Sequence, residues 1–337
     1  MAAPVFPSDP HVARRRARRE QVRRRVRRRR RVAAAVVVLV AGAGLWVAGA
    51  GSLGGEASDE TRARSDEPQA EPRKPAELPG GGRSIFPEHR VVAFYGAPQD
   101  DELGELGIGP VSKVAGRLRK QARPYERKRR PVLPAFELIA TVAAAAPGPE
   151  RRYSYRQEAK VIRRYLRAAR KAKALLLLDV QPGRSDFMDE ARHLERFLRE
   201  PDVGLALDPE WSMGPGEIPG KVIGSTTAAK INEVSAYLQQ LARKHHLPEK
   251  LLVVHRFTED MIGNDAELAD RREVELVINV DGFGTAELKA DKYRDFTADR
   301  KRGARNGFKL FYREDTGLMT PKQVLALRPA PDLVIYE

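Results

Sequence analysis

In this 337-residue chain, the side chains best able to do chemistry sit at the polar ends of short apolar runs. Tyr95 closes the run RVVAFYG, Glu137 closes PVLPAFEL, and Asp179 with Gln181 closes ALLLLDVQ. Asp208 and Glu210 close VGLALDPE with Trp211 directly after, His255 closes KLLVVHRF, and Asn279 with Asp281 closes EVELVINVDG. Lys309 and Tyr312 belong to GFKLFY, and Tyr336 to PDLVIYE. Side chains two apart on a strand share a face, so Asp179 with Gln181, Asp208 with Glu210, and Asn279 with Asp281 are three same-face polar pairs. Such groups in one place suit proton transfer and the stabilisation of developing charge. An acid pair beside an indole suits a sugar cleft, with carboxylates exchanging protons around a glycosidic bond and an aromatic face stacking on the ring. An apolar neighbour also helps one carboxyl keep its proton near neutral pH.

Each residue has a plainer reading. One strand-end carboxylate can cap a helix or pair with an Arg. His255 alone reads as a hydrogen-bonded packing residue, and Trp211 as packing beneath the Gly- and Pro-rich loop Ser212–Gly220. The set reads differently, because ionisable groups converging from several strands cost desolvation energy that a structural rim need not incur. Beside Asp208, Glu210 and Asp281, His255 becomes a candidate for orienting a substrate or shuttling a proton.

The elements that must position these groups are eight strand-like runs within Ile85–Glu337: 90–96, 131–138, 174–181, 203–210, 250–257, 273–282, 307–312 and 331–337. Several are apolar throughout, as in a parallel sheet covered on both faces. Between them, apolar residues recur at helical intervals: Ala159, Ile162, Tyr165, Leu166 and Ala169 in one segment, Phe187, Ala191, Leu194 and Leu198 in the next, and Ile231, Val234, Tyr237, Leu238 and Leu241 in a third. Eight strands alternating with mostly helical connections over these 253 residues predict an α/β fold of the (β/α)8 TIM-barrel type. An open doubly wound sheet gives the same local pattern. No Gly-x-Gly-x-x-Gly follows the first strand, so no dinucleotide cofactor is implied. In a barrel the carboxyl ends of the strands carry the site, which is where the polar residues fall. The run of elements ends on strand eight, so the eighth helix position is expected to be empty or covered by the segment before Arg90.

Composition divides the rest. Lys and Arg number 61 against 46 Asp and Glu, for a net charge of +15. Residues 1–31 hold thirteen Arg against one Asp and one Glu, a net +11, so the charge is no general nucleic-acid signature. Val32–Leu53 has no charge over 22 residues, enough for one helical crossing of a hydrocarbon layer ~30 Å thick. Arg directly before such a segment stays on the cytoplasmic side. The expectation is a single-pass anchor with the arm inside against anionic lipid headgroups and the remainder outside. A cleaved signal peptide with a secreted product is the alternative. Residues 54–84, rich in Gly, Pro and charge, read as a flexible linker, and 85–337 as the barrel domain. The absence of Cys excludes disulfides, thiolate metal sites and Cys nucleophiles.

Asp208-Pro209-Glu210 on the fourth strand resembles the Asp-x-Glu of chitinase-type glycoside hydrolases, which are barrels of this size. The resemblance implies Glu210 as general acid and Asp208 as the partner that orients the substrate's acetamido group. It departs where that family has two further Asp residues, here Val203 and Ala206, and a strand-eight Trp, here Tyr336. The stretches DVQPGRSDF, ALDPEWSM and VINVDGFG also resemble an uncharacterised family of secreted or membrane-anchored bacterial proteins. Three functions follow. The first is an extracytoplasmic glycoside hydrolase acting on a cell-envelope or environmental polysaccharide, with Glu210 and Asp208 catalytic. There Tyr95, Glu137, Asp179, Gln181, Trp211, His255, Asp281, Lys309, Tyr312 and Tyr336 would bind substrate. The second is a barrel that binds glycan without cleaving it. The third, metal-assisted hydrolysis at Asp179, Asp208, Glu210, Asp281 and His255, ranks last, because no His-x-His or His-Glu-x-x-His spacing occurs. No metal or other cofactor is expected.

Overall fold

Apolar side chains alternate between two destinations along every long strand, and this alternation organises the molecule. In the computed structural model, which describes residues 75–298 and 303–337, eight parallel strands close on themselves. They are β1 (Arg90–Gly96), β2 (Val132–Ala143), β3 (Leu175–Val180), β4 (Val203–Leu207), β5 (Lys250–Arg256), β6 (Val274–Val280), β7 (Ala304–Leu310) and β8 (Leu333–Tyr336). Each pairs in parallel with the next, and β8 returns to β1 through Val91↔Leu333 to Phe94↔Tyr336. The fold is therefore a TIM-type barrel rather than an open doubly wound sheet. The predicted anchor, the Arg arm and most of the linker lie outside the described residues. Among those that are described, no helix is long and apolar enough to cross a membrane.

One set of side chains, including Val92, Phe94, Leu176, Leu205, Leu252, Ile278, Phe308 and Val334, faces outward to the helices. The other, including Val91, Leu133, Leu175, Leu177, Leu251, Val253, Val277 and Leu333, fills the barrel interior. The interior is tight. A Cβ on Gly204 of β4 would come within 2.6 Å of the Leu251 carbonyl oxygen and 2.7 Å of Leu177.

The outer layer comprises α1 (Val111–Ala122), α2 (Ala159–Ala172), α3 (Phe187–His193), α4 (Glu195–Leu198), α5 (Ala228–Lys244), α6 (Ala286–Thr297) and α7 (Pro321–Ala326). The predicted stripe of α2 buries Ile162, Tyr165, Leu166 and Ala169, and that of α5 buries Ile231, Val234, Leu238 and Leu241. Helix starts are capped by side chains: Thr227 accepts from Lys230 N, Thr285 from Leu288 N, and Thr320 forms a capping box with Gln323. Between β5 and β6 the chain makes two short 3-10 turns, Glu259–Met261 and Asp265–Glu267, and a two-residue strand, Ile262–Gly263, paired with Thr226–Thr227, with no α-helix. A cavity of about 510 Å³ lies there, against Leu276, Ile278 and Phe296.

Two closures differ from expectation. Leu78, Ile85 and Phe86 pack with the interior set, not over the side of β8. Arg83 donates to the carbonyls of His246 and Leu247, and Ile85 N donates to Glu249 Oε2 at 2.6 Å. Part of the stretch read as linker thus belongs to the fold, and these residues plug the amino end of the barrel. The outer face of β8 is met instead by the turn Arg123–Tyr125 after α1, whose Tyr125 hydroxyl lies 2.6 Å from that of Tyr336.

Candidate functional site

Inward residues change character along the barrel axis, from apolar below to ionisable above. At the carboxyl end, Tyr95 (β1), Glu137 (β2), Asp179 (β3), His255 (β5), Asn279 (β6) and Lys309 (β7) are all 3% exposed or less. Gln181, Asp208 and Asp281 follow directly on β3, β4 and β6 and are also buried. Glu210 lies on a 3-10 turn, Pro209–Trp211, that starts where β4 ends. The barrel brings together every one of these sequence-predicted groups.

The contacts form two chains that meet at the centre. In the first, Gln181 Oε1 accepts from Ala143 N at 3.1 Å while its Nε2 donates to the Tyr95 hydroxyl at 3.0 Å. That hydroxyl donates to Asp179 Oδ2 at 3.0 Å. In the second, His255 Nε2 lies 2.7 Å from Glu137 Oε1, and its Nδ1 lies 3.3 Å from Asp281 Oδ2 and 3.2 Å from the Asn279 amide. Lys309 Nζ lies 3.6 Å from Asp281 Oδ2, 2.7 Å from Glu337 Oε2 and 3.7 Å from the centre of the Tyr95 ring. Gly307 leaves room for Asn279, whose Oδ1 would lie 2.7 Å from a Cβ at that position.

Electrostatics follow from burial and crowding. Burial and the Asp208 charge push the Asp179 carboxyl well above its usual range. Burial and the Glu210 charge push Asp208 up to about 6. Burial disfavours the charged imidazole of His255, but the charge of Glu137 and the hydrogen bonds that the ring donates to Asp281 and Glu137 outweigh it and hold its pKa well above normal. Burial also opposes the charge on Lys309, and Asp281 and Glu337 more than restore it. Several oxygens keep unused capacity: Glu137 Oε2, Asp179 Oδ1, Asp208 Oδ1 and Asn279 Oδ1 are buried and accept no hydrogen bond.

Two predicted site residues lie elsewhere. Tyr336 points outward, because Leu333 and Ile335 occupy the inward positions of β8. Its ring stacks on Tyr312 with centroids 5.3 Å apart, and the Tyr312 hydroxyl donates to Gln121 Oε1 on α1 at 2.8 Å. Both tyrosines belong to the layer between barrel and helices. Trp211 is 7% exposed, as the packing reading expects. The loop beyond it is tied down by Met213 N to Gly183 O at 2.7 Å and Gly224 N to Glu210 O at 2.8 Å.

One contributor was overlooked, Glu337, the partner of Lys309. The signal was present in the sequence, since the strand period that puts Leu333 and Ile335 inside puts Glu337 there too. Compared with known proteins, the chain matches no protein-family model and no curated sequence.

Proposed function

We propose that the barrel is a hydrolase of glycosidic bonds, with Glu210 as proton donor and Asp208 as its adjacent carboxyl partner. The observation that carries this reading is the Asp208–Glu210 pair at the carboxyl end of β4, buried together, with Asp208 raised to about 6 by burial and the Glu210 charge. Asp208 keeps its proton up to about pH 6, and in this proposal that proton passes to Glu210, so that the pair offers the one protonated and one ionised group that acid–base cleavage of an acetal needs. His255, Asp281 and Asp179 would orient the substrate or balance charge that develops on the sugar. In this proposal the substrate is a cell-envelope or environmental polysaccharide, met outside a membrane that Val32–Leu53 spans once, with the Arg arm on cytoplasmic headgroups. The test is Glu210→Gln with turnover measured on a panel of glycans. A loss of roughly 100-fold or more is expected, and full retained activity overturns the assignment.

One observation favours a second reading, a glycan-binding barrel without turnover. Asp208, Glu210 and Trp211 are 3%, 2% and 7% exposed, and the loop that follows them is tied at both ends. Glycan binding that survives Glu210→Gln unchanged, with no product after long incubation, would decide for it.

A further inference from the structure

We infer that Glu137, Asp179 and His255 form a binding site for one divalent metal ion of the Mn²⁺ or Zn²⁺ class inside the barrel mouth. The inference does not depend on the hydrolase reading. Three strands, β2, β3 and β5, each contribute one donor, and the three donor atoms lie within 4.8 Å of one another. Ligands at ~2.1 Å from one ion stand roughly 3.0–4.2 Å apart, so a small inward adjustment of these side chains would place all three on one ion.

The support behind the donors has the form a metal site requires. Asp281 Oδ2 sits 3.3 Å from His255 Nδ1, which fixes the ring and turns Nε2 toward Glu137. This is the carboxylate–histidine arrangement that backs metal-ligating imidazoles. Asp179 is held through Oδ2 by the Tyr95 hydroxyl, which Gln181 holds in turn, so Oδ1 is left facing inward. Glu137 is likewise engaged through one oxygen, with Oε2 accepting no hydrogen bond. An ion at this point takes the place of the proton shared between His255 Nε2 and Glu137 Oε1.

A separate observation points to a bound cation. The Asp208 side chain is 3% exposed and its Oδ1 accepts no hydrogen bond. It lies two residues beyond Ala206, whose register partner on β3 is Asp179, so strand parity puts Asp208 on the same inward face beside Asp179. Around this point the barrel gathers the carboxyls of Glu137, Asp179 and Asp208, all 3% exposed or less, beside the His255 imidazole. Buried carboxylates so placed need a counter-charge or a proton. One imidazole with two carboxylates suits Mn²⁺ or Zn²⁺ better than Ca²⁺, which needs six to eight oxygens, or Cu(I), which favours sulfur. The sequence pattern hides the site because its donors come from separate strands rather than from one short motif.

The test is titration of Mn²⁺, and separately of Zn²⁺, into the purified full-length chain after chelator treatment, with bound Mn²⁺ read by electron paramagnetic resonance. One ion per chain is expected. Asp179→Asn should weaken binding by roughly 100-fold, and the positioning variant Asp281→Asn by roughly 10–100-fold. Glu210→Gln should leave metal affinity at the wild-type value, so failure of the hydrolase reading and failure of this one are distinguishable. If Asp179→Asn does not fold, Asp281→Asn carries the comparison. Absence of bound Mn²⁺ and Zn²⁺ at about 1 mM, or unchanged affinity in Asp281→Asn and Asp179→Asn, overturns the site.

Discussion

Glu190 and Asp208 are both buried carboxylates, yet the barrel treats them in opposite ways. Glu190 of α3 is fully buried and accepts from Thr141 Oγ1 at 2.9 Å, Ser185 Oγ at 2.7 Å, and Arg156 Nε and Nη2, both at 2.9 Å. Burial pushes its carboxyl up, but the Arg156 and Ser185 hydrogen bonds more than offset that and hold it below the usual range. Asp208 is equally buried, faces Glu210, and is raised to about 6. Burial alone therefore does not mark a site. What separates the two is whether the fold completes the hydrogen bonds of the group it buries.

The comparison is broken most directly at Glu190. Replacement by Ala strands Arg156, Thr141 and Ser185 around an absent charge and should cost about 3–5 kcal/mol in urea unfolding. A cost below about 1 kcal/mol would mean that this network is no structural keystone.

Acid titration sharpens the contrast, because the two groups respond with opposite sign. The folded pKa of Asp208 exceeds its unfolded value near 3.9, so the native state binds the extra proton between about 4 and 6. Stability should fall as pH rises through that window, by at most about 3 kcal/mol, and Asp208→Asn should remove the fall. The folded pKa of Glu190 is depressed, so its contribution is present above about 4.3 and is lost as pH falls through the folded value. Melts from pH 3 to 7 on wild type, Asp208→Asn and Glu190→Gln check both. Parallel curves for wild type and Asp208→Asn would refute the assignment for Asp208. At pH 7, with chelator present, Asp208→Asn should be neutral or stabilising by on the order of 1 kcal/mol, since it removes a buried charge that the fold does not pair. A clear loss of stability would mean Asp208 has a structural role like that of Glu190.

Why these differences were only partly legible in the sequence follows from which interactions are local. Strand β1 appears as read, and the alternation of the other apolar runs located all eight strands, because a sheet covered on both faces needs apolar side chains throughout. Strand β2 runs on to Ala143, past its expected end at Leu138, since the Ala-rich stretch carries little strand propensity of its own and is held by a short antiparallel strand, Ser154–Arg156. Leu78 is a lone apolar residue among Pro, Gly and charge, so composition gave no hint that it enters the interior. The polar strand ends correctly gathered Tyr95, Glu137, Asp179, Asp208 and His255. Which of them touch was not readable, because Glu137 and His255 are 118 positions apart and only closure of the barrel sets their distance. Tyr336 was placed at the mouth by its polarity, whereas strand parity sends it outward and Glu337 inward.

The smallest expected effect lies outside both clusters, and it tests whether burial is needed as well as partnership. Arg199 and Glu195 form an ion pair across one turn at α4, with side chains 49% and 32% exposed. Glu195 also accepts from the Tyr237 hydroxyl at 2.6 Å, so it keeps a partner when Arg199 is removed. Water solvates both charges in the unfolded chain and nearly as well in the folded one, and salt screens what remains. Arg199→Ala should therefore leave the melting midpoint within measurement scatter in low and high salt alike. A large drop would show that losing a partner is costly even in water. In that case burial could no longer be what distinguishes Asp208 from an exposed carboxylate.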